Sequence, residues 1–414
     1  MINILNVLSN VIWIITTFFI LYVGIYFTVK LKFPQLMFIK IIKSFKGKNK
    51  ETFKLLNLTL AGKIGVGSIS GIAICIITGG ISSLFWLWIS AFILASLTFV
   101  ETKLGIKYKK ENNSVGGPVE YIEKITKSKN LAIIYSLLII ITYVIAFISI
   151  QTNTIVISLK NNFNISKTMI ILFLITIFYL STRKGISTIS KITSILTPIM
   201  GVIYILVGII IIFNNYNEVI SLLKLIIKSA FEIKSIKTLF IIPFITGIQR
   251  GIFSNESGIG TTAIIVSNSE IEDLNKQENI QIIGTYFTSL IICTITALII
   301  LTSNYESIDI TNINGIEIVS YAFLEHFGYY GIIILTAIIF MFAFSTIVTS
   351  YYYGEINYKY LFKKEKNKLK LITILVIIYS SFSKPTLLWN IVDILVAILS
   401  IINSYAMLKI IKEE

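Results

Sequence analysis

Long apolar stretches separated by short polar and basic segments run through nearly the whole chain. A helix that crosses the roughly 30 Å apolar core of a bilayer needs about 20 apolar residues. About eleven stretches have that reach, so the pattern predicts an all-α integral membrane protein that forms a single domain, residues 1–414. The stretches lie near residues 10–30, 57–78, 81–102, 131–158, 167–182, 192–213, 237–266, 281–302, 329–353, 369–383 and 386–408.

The composition supports a membrane protein. Hydrophobic residues make up 55% of the 414 residues and charged residues 14%, and the mean hydropathy is +0.84. A soluble fold cannot bury that much apolar surface, and disordered chains have the opposite composition. The two cysteines, Cys75 and Cys293, both lie in apolar stretches, which argues against a disulfide framework or a thiolate metal cluster.

The net charge of +15 comes mainly from cations in the short segments between apolar stretches, which argues against a nucleic-acid partner. If the N-terminus lies outside, most of these cations fall on the inner side of the membrane, as the positive-inside rule requires. We therefore predict a multi-pass protein of the plasma (inner) membrane, embedded in the lipid bilayer, with its N-terminus outside and its C-terminus in the cytoplasm.

Two of the apolar stretches contain residues that a continuous transmembrane helix disfavours. AGKIGVGSISGIAICIITGG (61–80) contains Lys63, and PFITGIQRGIFSNESGIG (243–260) contains Arg250 and Glu256. Glycine weakens a helix, proline removes a backbone donor, and charges within spans usually face a polar interior. Two broken helices five spans apart are typical of secondary transporters built from inverted repeats. Helix packing through small residues is the alternative, but it does not explain the charges.

Several other polar residues lie within apolar stretches. Most amides and hydroxyls in such places form hydrogen bonds between helices, but the adjacent hydroxyls of Ser345 and Thr346 could supply two oxygen ligands to a small cation. The chain has no GxxxxGK[ST] loop, so we do not expect ATP to drive transport. It also has no recognisable catalytic constellation, so we expect no catalytic residues, no enzyme activity and no organic cofactor.

Several motifs resemble those of one family, the alanine/glycine:cation symporters, also called sodium:alanine symporters or amino-acid carrier proteins. RGIFSNESGIGTTAI at 250–264 is similar to the family signature RGVFSNEAGLGSAPI. Further motifs follow the family order across almost the whole chain: IGVGSISGIA (64–73), GGISSLFWLWISA (79–91), GGPVEYI (116–122), IQTNT (150–154) and FAFSTIVTSYYYGE (342–355).

The resemblance implies a leucine-transporter-type fold, a five-plus-five inverted repeat. Residues 57–213 would form the first repeat and 237–408 the second, with 10–30 as an extra N-terminal helix. Members of the family carry alanine, glycine or another small neutral amino acid into the cell together with Na⁺ or H⁺. The alternatives are a non-transporting amino-acid sensor or scaffold of the same fold, and a proton-coupled transporter of another small amine.

The resemblance also implies a set of site residues. The substrate would contact the first break and the third helix of the repeat: Gly65, Val66, Gly67, Ser68, Gln151 and Asn153. The coupling cation would be held by the carbonyl oxygens of Ala61, Ile64 and Phe342 and by the hydroxyls of Ser345 and Thr346. Lys63 and Glu256 are candidates for a role in coupling.

Among the positions that depart from the family motifs, two lie in the first break. Ser68 replaces an asparagine, and Lys63 replaces a small or hydroxylated residue. An unpaired ammonium at mid-membrane costs at least about 2.5–3.5 kcal/mol on insertion scales. Either the ammonium of Lys63 takes over the role of a cation and releases a proton during transport, or its side chain extends to the cytoplasmic face.

Overall fold

The computed structural model describes residues 2–37, 50–109, 117–232, 241–268, 274–307, 314–363 and 366–410, and the described residues form helices and turns without a β-strand. The helices are α1 (Ile2–Lys30), α2 (Lys50–Lys63), α3 (Ser70–Gly79), α4 (Ser83–Lys107), α5 (Pro118–Thr126), α6 (Lys129–Phe163), α7 (Lys167–Thr182) and α8 (Ile186–Asn214). They continue with α9 (Tyr216–Phe231), α10 (Ile241–Asn255), α11 (Thr261–Ser267), α12 (Leu274–Tyr286, continuing through Cys293–Leu301), α13 (Gly315–Phe362), α14 (Lys366–Ser380) and α15 (Pro385–Lys409).

Seven of the described helices are long and apolar enough to cross a membrane: α1, α4, α6, α8, α12, α13 and α15. Helices α3 and α7 are shorter apolar helices. Each apolar stretch that the sequence analysis identified contains a helix or a broken pair of helices. The stretches 57–78 and 237–266 contain the broken pairs α2/α3 and α10/α11, and the stretch 369–383 contains α14. The first four residues of the stretch 237–266 lie outside the described ranges.

Both predicted helix breaks are present. Helix α2 ends at Lys63, a 3₁₀ turn covers Val66–Ser68, and α3 begins at Ser70. In the second break, Gly258 and Gly260 have φ angles of 87° and 101°, which lie in the left-handed region that favours glycine. The backbone therefore leaves the helical path in the middle of two helices and presents groups that other elements must satisfy.

The two breaks lie side by side in the bundle. The hydroxyl groups of Ser68 in the first break and Ser254 at the end of α10 are 2.9 Å apart. Helix α4 packs against α1, α10, α11 and α12, while α13 packs against α2, α6 and α8. The long helices thus surround the pair of breaks, which places the irregular backbone in the protein interior, as a membrane requires.

Two of the surrounding helices contain π turns, Ile140–Phe147 in α6 and Phe287–Ile292 in α12. Such turns accommodate an extra residue and frequently occur at functional sites. Helix α13 bends at Gly328, where φ is 59°, so its first part forms a separate arm at the surface.

Candidate substrate and cation site

The turn Val66–Ser68 is bound by a side chain from α6. The backbone N–H of Val66 donates a hydrogen bond to Oε1 of Gln151 at 3.0 Å. A Cβ atom added at Gly65 would lie 2.6 Å from Oγ1 of Thr346 and 3.1 Å from Nε2 of Gln151, so a side chain at position 65 would displace both. The structure therefore brings the turn, Gln151 and Thr346 together, as the sequence analysis expected.

Aromatic rings cover the turn. A Cβ atom added at Gly67 would lie 2.5 Å from the ring of Phe253. The Phe253 ring stacks on Phe147 with centroids 5.0 Å apart and planes 9° apart, and it also lies 5.0 Å from the ring of Trp389. Glycine at position 67 allows this close approach, and the resulting cover is apolar.

The predicted substrate residue Ser68 has polar neighbours on two helices. Besides the contact between its hydroxyl and Ser254, its carbonyl oxygen accepts a hydrogen bond from Thr296 Oγ1 at 2.7 Å. Ser254 is also 3.0 Å from the sulfur of Cys293. Where the family motif has an asparagine, this chain therefore uses a shorter hydroxyl that is already tied to α10.

Oxygen atoms from the five predicted cation ligands converge at the end of α2. The hydroxyl of Thr346 lies 3.0 Å from the carbonyl oxygen of Ala61, 3.4 Å from that of Ile64 and 2.9 Å from that of Phe342. The hydroxyl of Ser345 lies 2.9 Å from the same Phe342 oxygen. All five residues are buried.

This set of atoms fits a monovalent hard cation. Carbonyl and hydroxyl oxygens are the ligands that such cations take in proteins, and carbonyls at the C-terminal end of a helix carry partial negative charge. The Thr346 hydroxyl has more oxygen neighbours than one hydroxyl proton can satisfy. A cation at this place would be held by these five residues, which belong to α2, the first break and α13.

Asn153 differs from its predicted role at the turn. Its Nδ2 donates hydrogen bonds to the carbonyl oxygens of Ser380 at 2.8 Å and Ser383 at 3.0 Å. It thereby joins α6 to the end of α14, and it lines a separate cavity. The structure does not bring Asn153 together with Gln151 at the turn.

That cavity has a volume of about 640 Å³ and is lined by the ends of α1, α3, α10 and α15. Arg250, Trp389 and Asp393 line it, whereas residues 65–68 of the turn do not. Arg250 donates to both carboxylate oxygens of Asp393, at 3.1 and 2.7 Å. Its guanidinium also lies over the rings of Trp389 and Phe253. The ion pair and the aromatic cover therefore separate this cavity, here called the vestibule, from the turn.

Charged residues also lie at the other side of the first break. Lys63 is 2% exposed, and its ammonium donates to Oγ1 of Thr285 on α12 at 3.1 Å. The carboxylates of Glu101 and Glu256 are the charged groups that interact with it. The hypothesis that the Lys63 side chain extends to the cytoplasmic face is wrong, because its ammonium lies inside the bundle.

The sequence analysis missed several residues of the site. Arg250 was recognised as a charge within a span, but its pairing with Asp393 was not predicted. A charge within a span calls for a counter-charge, which was the available signal. Nothing in the sequence pattern singled out Glu101, Phe253 or Trp389.

The structure combines two discontinuous helices that meet at a buried turn, a cluster of hydroxyl and carbonyl oxygens beside the turn, and a vestibule beyond an ion pair. This arrangement is typical of secondary transporters. Residues 1–413 match the sequence profile of the sodium:alanine symporter family, and the chain belongs to that family. It is a cation-coupled amino-acid symporter and a multi-pass membrane protein, and not an enzyme.

Individual relatives agree with this membership. The chain is 29% identical over 415 residues to the amino-acid carrier protein AlsT of Bacillus subtilis, covering 97% of this chain and 88% of AlsT. It is 31% identical over 396 residues to the probable sodium/glutamine symporter GlnT of the same species, covering 92% and 82%. It is 29% identical over 405 residues to the sodium/alanine symporter AgcS of Methanococcus maripaludis, covering 93% and 89%.

Solved structures show the same fold at low sequence identity. The structure of MhsT in complex with L-phenylalanine matches with a TM-score of 0.62 and 13% identity, over 87% of this chain and 88% of that one. A Na⁺-coupled sialic acid symporter matches with a TM-score of 0.55 and 14% identity, over 98% and 83%. The architecture is therefore the leucine-transporter-type fold, preceded by α1.

Proposed function

We propose that this symporter carries alanine, glycine or another small neutral amino acid into the cell together with Na⁺. The observation that carries the proposal is the convergence of five buried oxygen atoms from Ala61, Ile64, Phe342, Ser345 and Thr346. The set contains no carboxylate, so it suits a monovalent ion that must enter and leave in each cycle.

The substrate would bind at the turn beside this cation. Its carboxylate would contact the amides of Gly65 and Gly67 and replace Gln151 at the amide of Val66, because Gln151 already accepts a hydrogen bond there. Gln151 would then turn its amide oxygen to the substrate ammonium. Ser68 would add a hydroxyl, and the Phe253 ring over Gly67 would leave room for a short side chain only.

The side from which the vestibule admits substrate would follow from the predicted orientation. The vestibule lies at the end of the bundle that carries the N-terminal residues Asn6, Ser9 and Asn10. The distribution of Lys and Arg places this end outside. We propose that the vestibule faces the exterior, and that the Arg250–Asp393 pair opens to admit substrate and closes behind it.

The test is uptake of radiolabelled alanine and glycine into proteoliposomes under an inward Na⁺ gradient, an inward H⁺ gradient, or neither. We expect the Na⁺ gradient to drive uptake. Uptake driven by the H⁺ gradient alone would support proton coupling instead. Glutamine is a necessary competitor, because one relative carries the name of a probable glutamine symporter. Binding of amino acid without uptake under any gradient would support a sensor.

The double substitution Ser345→Ala and Thr346→Ala should lower Na⁺-stimulated uptake at least about tenfold, because two of the five oxygens are lost where water cannot replace them. Thr336→Ala is the matched control, because Thr336 is buried in the same helix but bonds to Asn162 and Ser158. Na⁺ dependence that is unchanged in the double variant would show that the cation binds elsewhere.

A further inference from the structure

The Lys63 ammonium ends in a cluster of hydroxyl groups from three parts of the chain. Thr285, which accepts from Lys63 at 3.1 Å, lies 3.1 Å from the hydroxyl of Thr98 on α4 and 3.3 Å from that of Ser257 in the second break. Thr98 and Ser257 are themselves 2.7 Å apart. These residues are all buried, so the ammonium contacts one hydroxyl of a buried three-hydroxyl cluster, and hydroxyl oxygens are hard ligands of the kind that metal cations take.

Two buried carboxylates lie beside this cluster, and they are satisfied to different degrees. Oε1 of Glu101 accepts from the backbone N–H of Gly260 and from Asn403, each at 2.9 Å. Neither carboxylate oxygen of Glu256 has a hydrogen-bond partner of normal geometry, although the hydroxyls of Tyr143 and Thr261 lie near it. Two N–H donors offset part of the charge of Glu101, although its Oε2 has no hydrogen-bond partner among the described residues. Glu256 has no such N–H donors among them and therefore depends more on a neighbouring positive charge.

Lys63 supplies that charge from a fixed position. Its side chain starts at the last residue of α2 and ends between α4, the second break and α12. A lysine ammonium is a compact, strongly hydrated point charge and in this respect resembles a small metal cation. Unlike a free ion, it cannot leave the protein during the transport cycle.

We propose that the Lys63 ammonium is a tethered cation that permanently occupies a second cation site, formed by Glu256, Thr98, Ser257 and Thr285. The site is separate from the one at Thr346, and its occupation leaves one Na⁺ to be bound and released in each cycle. This inference rests on the proposed function, which assigns the Thr346 site to Na⁺.

The test is the number of Na⁺ ions that the purified protein binds. Binding of ²²Na⁺ at saturation should rise about twofold in Lys63→Ala, because removal of the side chain leaves space and ligands for a second ion. Lys63→Met removes the charge but fills the space, so it should bind the same number as the wild type. Lys54→Ala, an exposed lysine on the same helix, is the matched control and should behave as the wild type does.

Thermal unfolding gives a second readout. In choline chloride, Lys63→Ala should unfold at a lower temperature than the wild type, because Glu256 lacks a counter-charge. Saturating Na⁺ should raise the unfolding temperature of Lys63→Ala back towards that of the wild type, since an ion that binds only the folded state stabilises it. Adding Glu256→Gln to Lys63→Ala should remove both the extra bound Na⁺ and its stabilising effect.

Each outcome decides the proposal. Equal ²²Na⁺ binding by Lys63→Ala and the wild type would overturn it, as would a wild type that already binds twice as much Na⁺ as the Thr346→Ala variant. If Lys63→Ala does not fold, the variant with Lys63→Ala and Glu256→Gln should fold with one Na⁺ bound. A double variant that stays unfolded would overturn the proposal, because the need for Lys63 would then not come from the charge of Glu256. Failure of Na⁺-driven uptake by the wild type would overturn only the proposed function. The numbers of bound ²²Na⁺ ions are compared between variants and do not depend on uptake.

Discussion

Two sets of charged residues are buried on opposite sides of the first break, and they are built differently. In the outer pair, Arg250 and Asp393 match each other through two hydrogen bonds, and both line the vestibule. In the inner cluster, Lys63 donates to a hydroxyl, and the carboxylate of Glu256 lies near the hydroxyls of Tyr143 and Thr261 without a hydrogen bond of normal geometry. Both sets lie within one bundle, so the difference does not reflect burial.

The difference indicates different tasks. A bidentate pair beside a water-accessible cavity can open, because water can replace the lost hydrogen bonds. The inner cluster lies away from the vestibule and is connected to α2, α4, the second break and α12 at once. None of its residues lines the vestibule, which agrees with the proposed role of the Lys63 ammonium as a fixed charge.

The largest loss of stability should come from a substitution that removes the charge of one partner of the outer pair and leaves the other. Asp393→Asn leaves the Arg250 guanidinium buried without its counter-charge, which costs about 3–5 kcal/mol for buried pairs. The apparent melting temperature of the detergent-solubilised protein should fall accordingly. The double variant Arg250→Gln with Asp393→Asn should recover most of the loss, because no charge remains unpaired. A single variant as stable as the wild type would show that the pair is already solvated.

A smaller effect is expected when the inner cluster loses its central hydroxyl. Thr285→Val keeps the side-chain shape but removes the acceptor for the Lys63 ammonium, and hydrogen bonds to charged groups contribute about 1.5–3 kcal/mol. The melting temperature should fall by less than in Asp393→Asn. Thr288→Val is the control, because this buried hydroxyl on the same helix bonds only to the Gly284 carbonyl. Equal losses in the two variants would remove any special role for Thr285.

The smallest change in stability should come from the turn between the two sets. Gly67→Ala places a methyl group 2.5 Å from the Phe253 ring, and such overpacking costs about 1–3 kcal/mol. The ring should move towards Arg250, whose guanidinium lies over it. The rate of uptake should therefore fall clearly, while the melting temperature should fall only slightly. At Gly71 a Cβ would meet Trp389 at 3.4 Å, so Gly71→Ala should transport nearly normally. Normal uptake by Gly67→Ala would show that the aromatic cover moves freely.

The helices and both breaks could be predicted from the sequence because they depend on local properties, apolar length and the positions of glycine, proline and charge. The cation ligands required the family resemblance, since carbonyl oxygens such as that of Ala61 have no sequence signature of their own. The pairing of Arg250 with Asp393 could not be predicted, because these residues are 143 positions apart and only the tertiary arrangement of α10 and α15 brings them together.

Asn153 shows a different limit. An amide within an apolar helix requires hydrogen-bond partners, and the sequence does not say which face of α6 it occupies. Gln151 faces the first break, whereas Asn153 faces the end of α14, as residues two positions apart on a helix must point in different directions.

The π turns in α6 and α12 set the rotational phase of everything that follows them. Gln151 comes after the first π turn and reaches the amide of Val66, while Thr296 comes after the second and reaches the carbonyl of Ser68. Each residue of an α-helix advances the chain by about 100° and 1.5 Å. Deleting one residue within either π turn would therefore rotate Gln151 or Thr296 by about 100° away from the break, although neither of these two residues is itself changed. A relative with one residue fewer in either π turn would therefore be expected to have a differently arranged site.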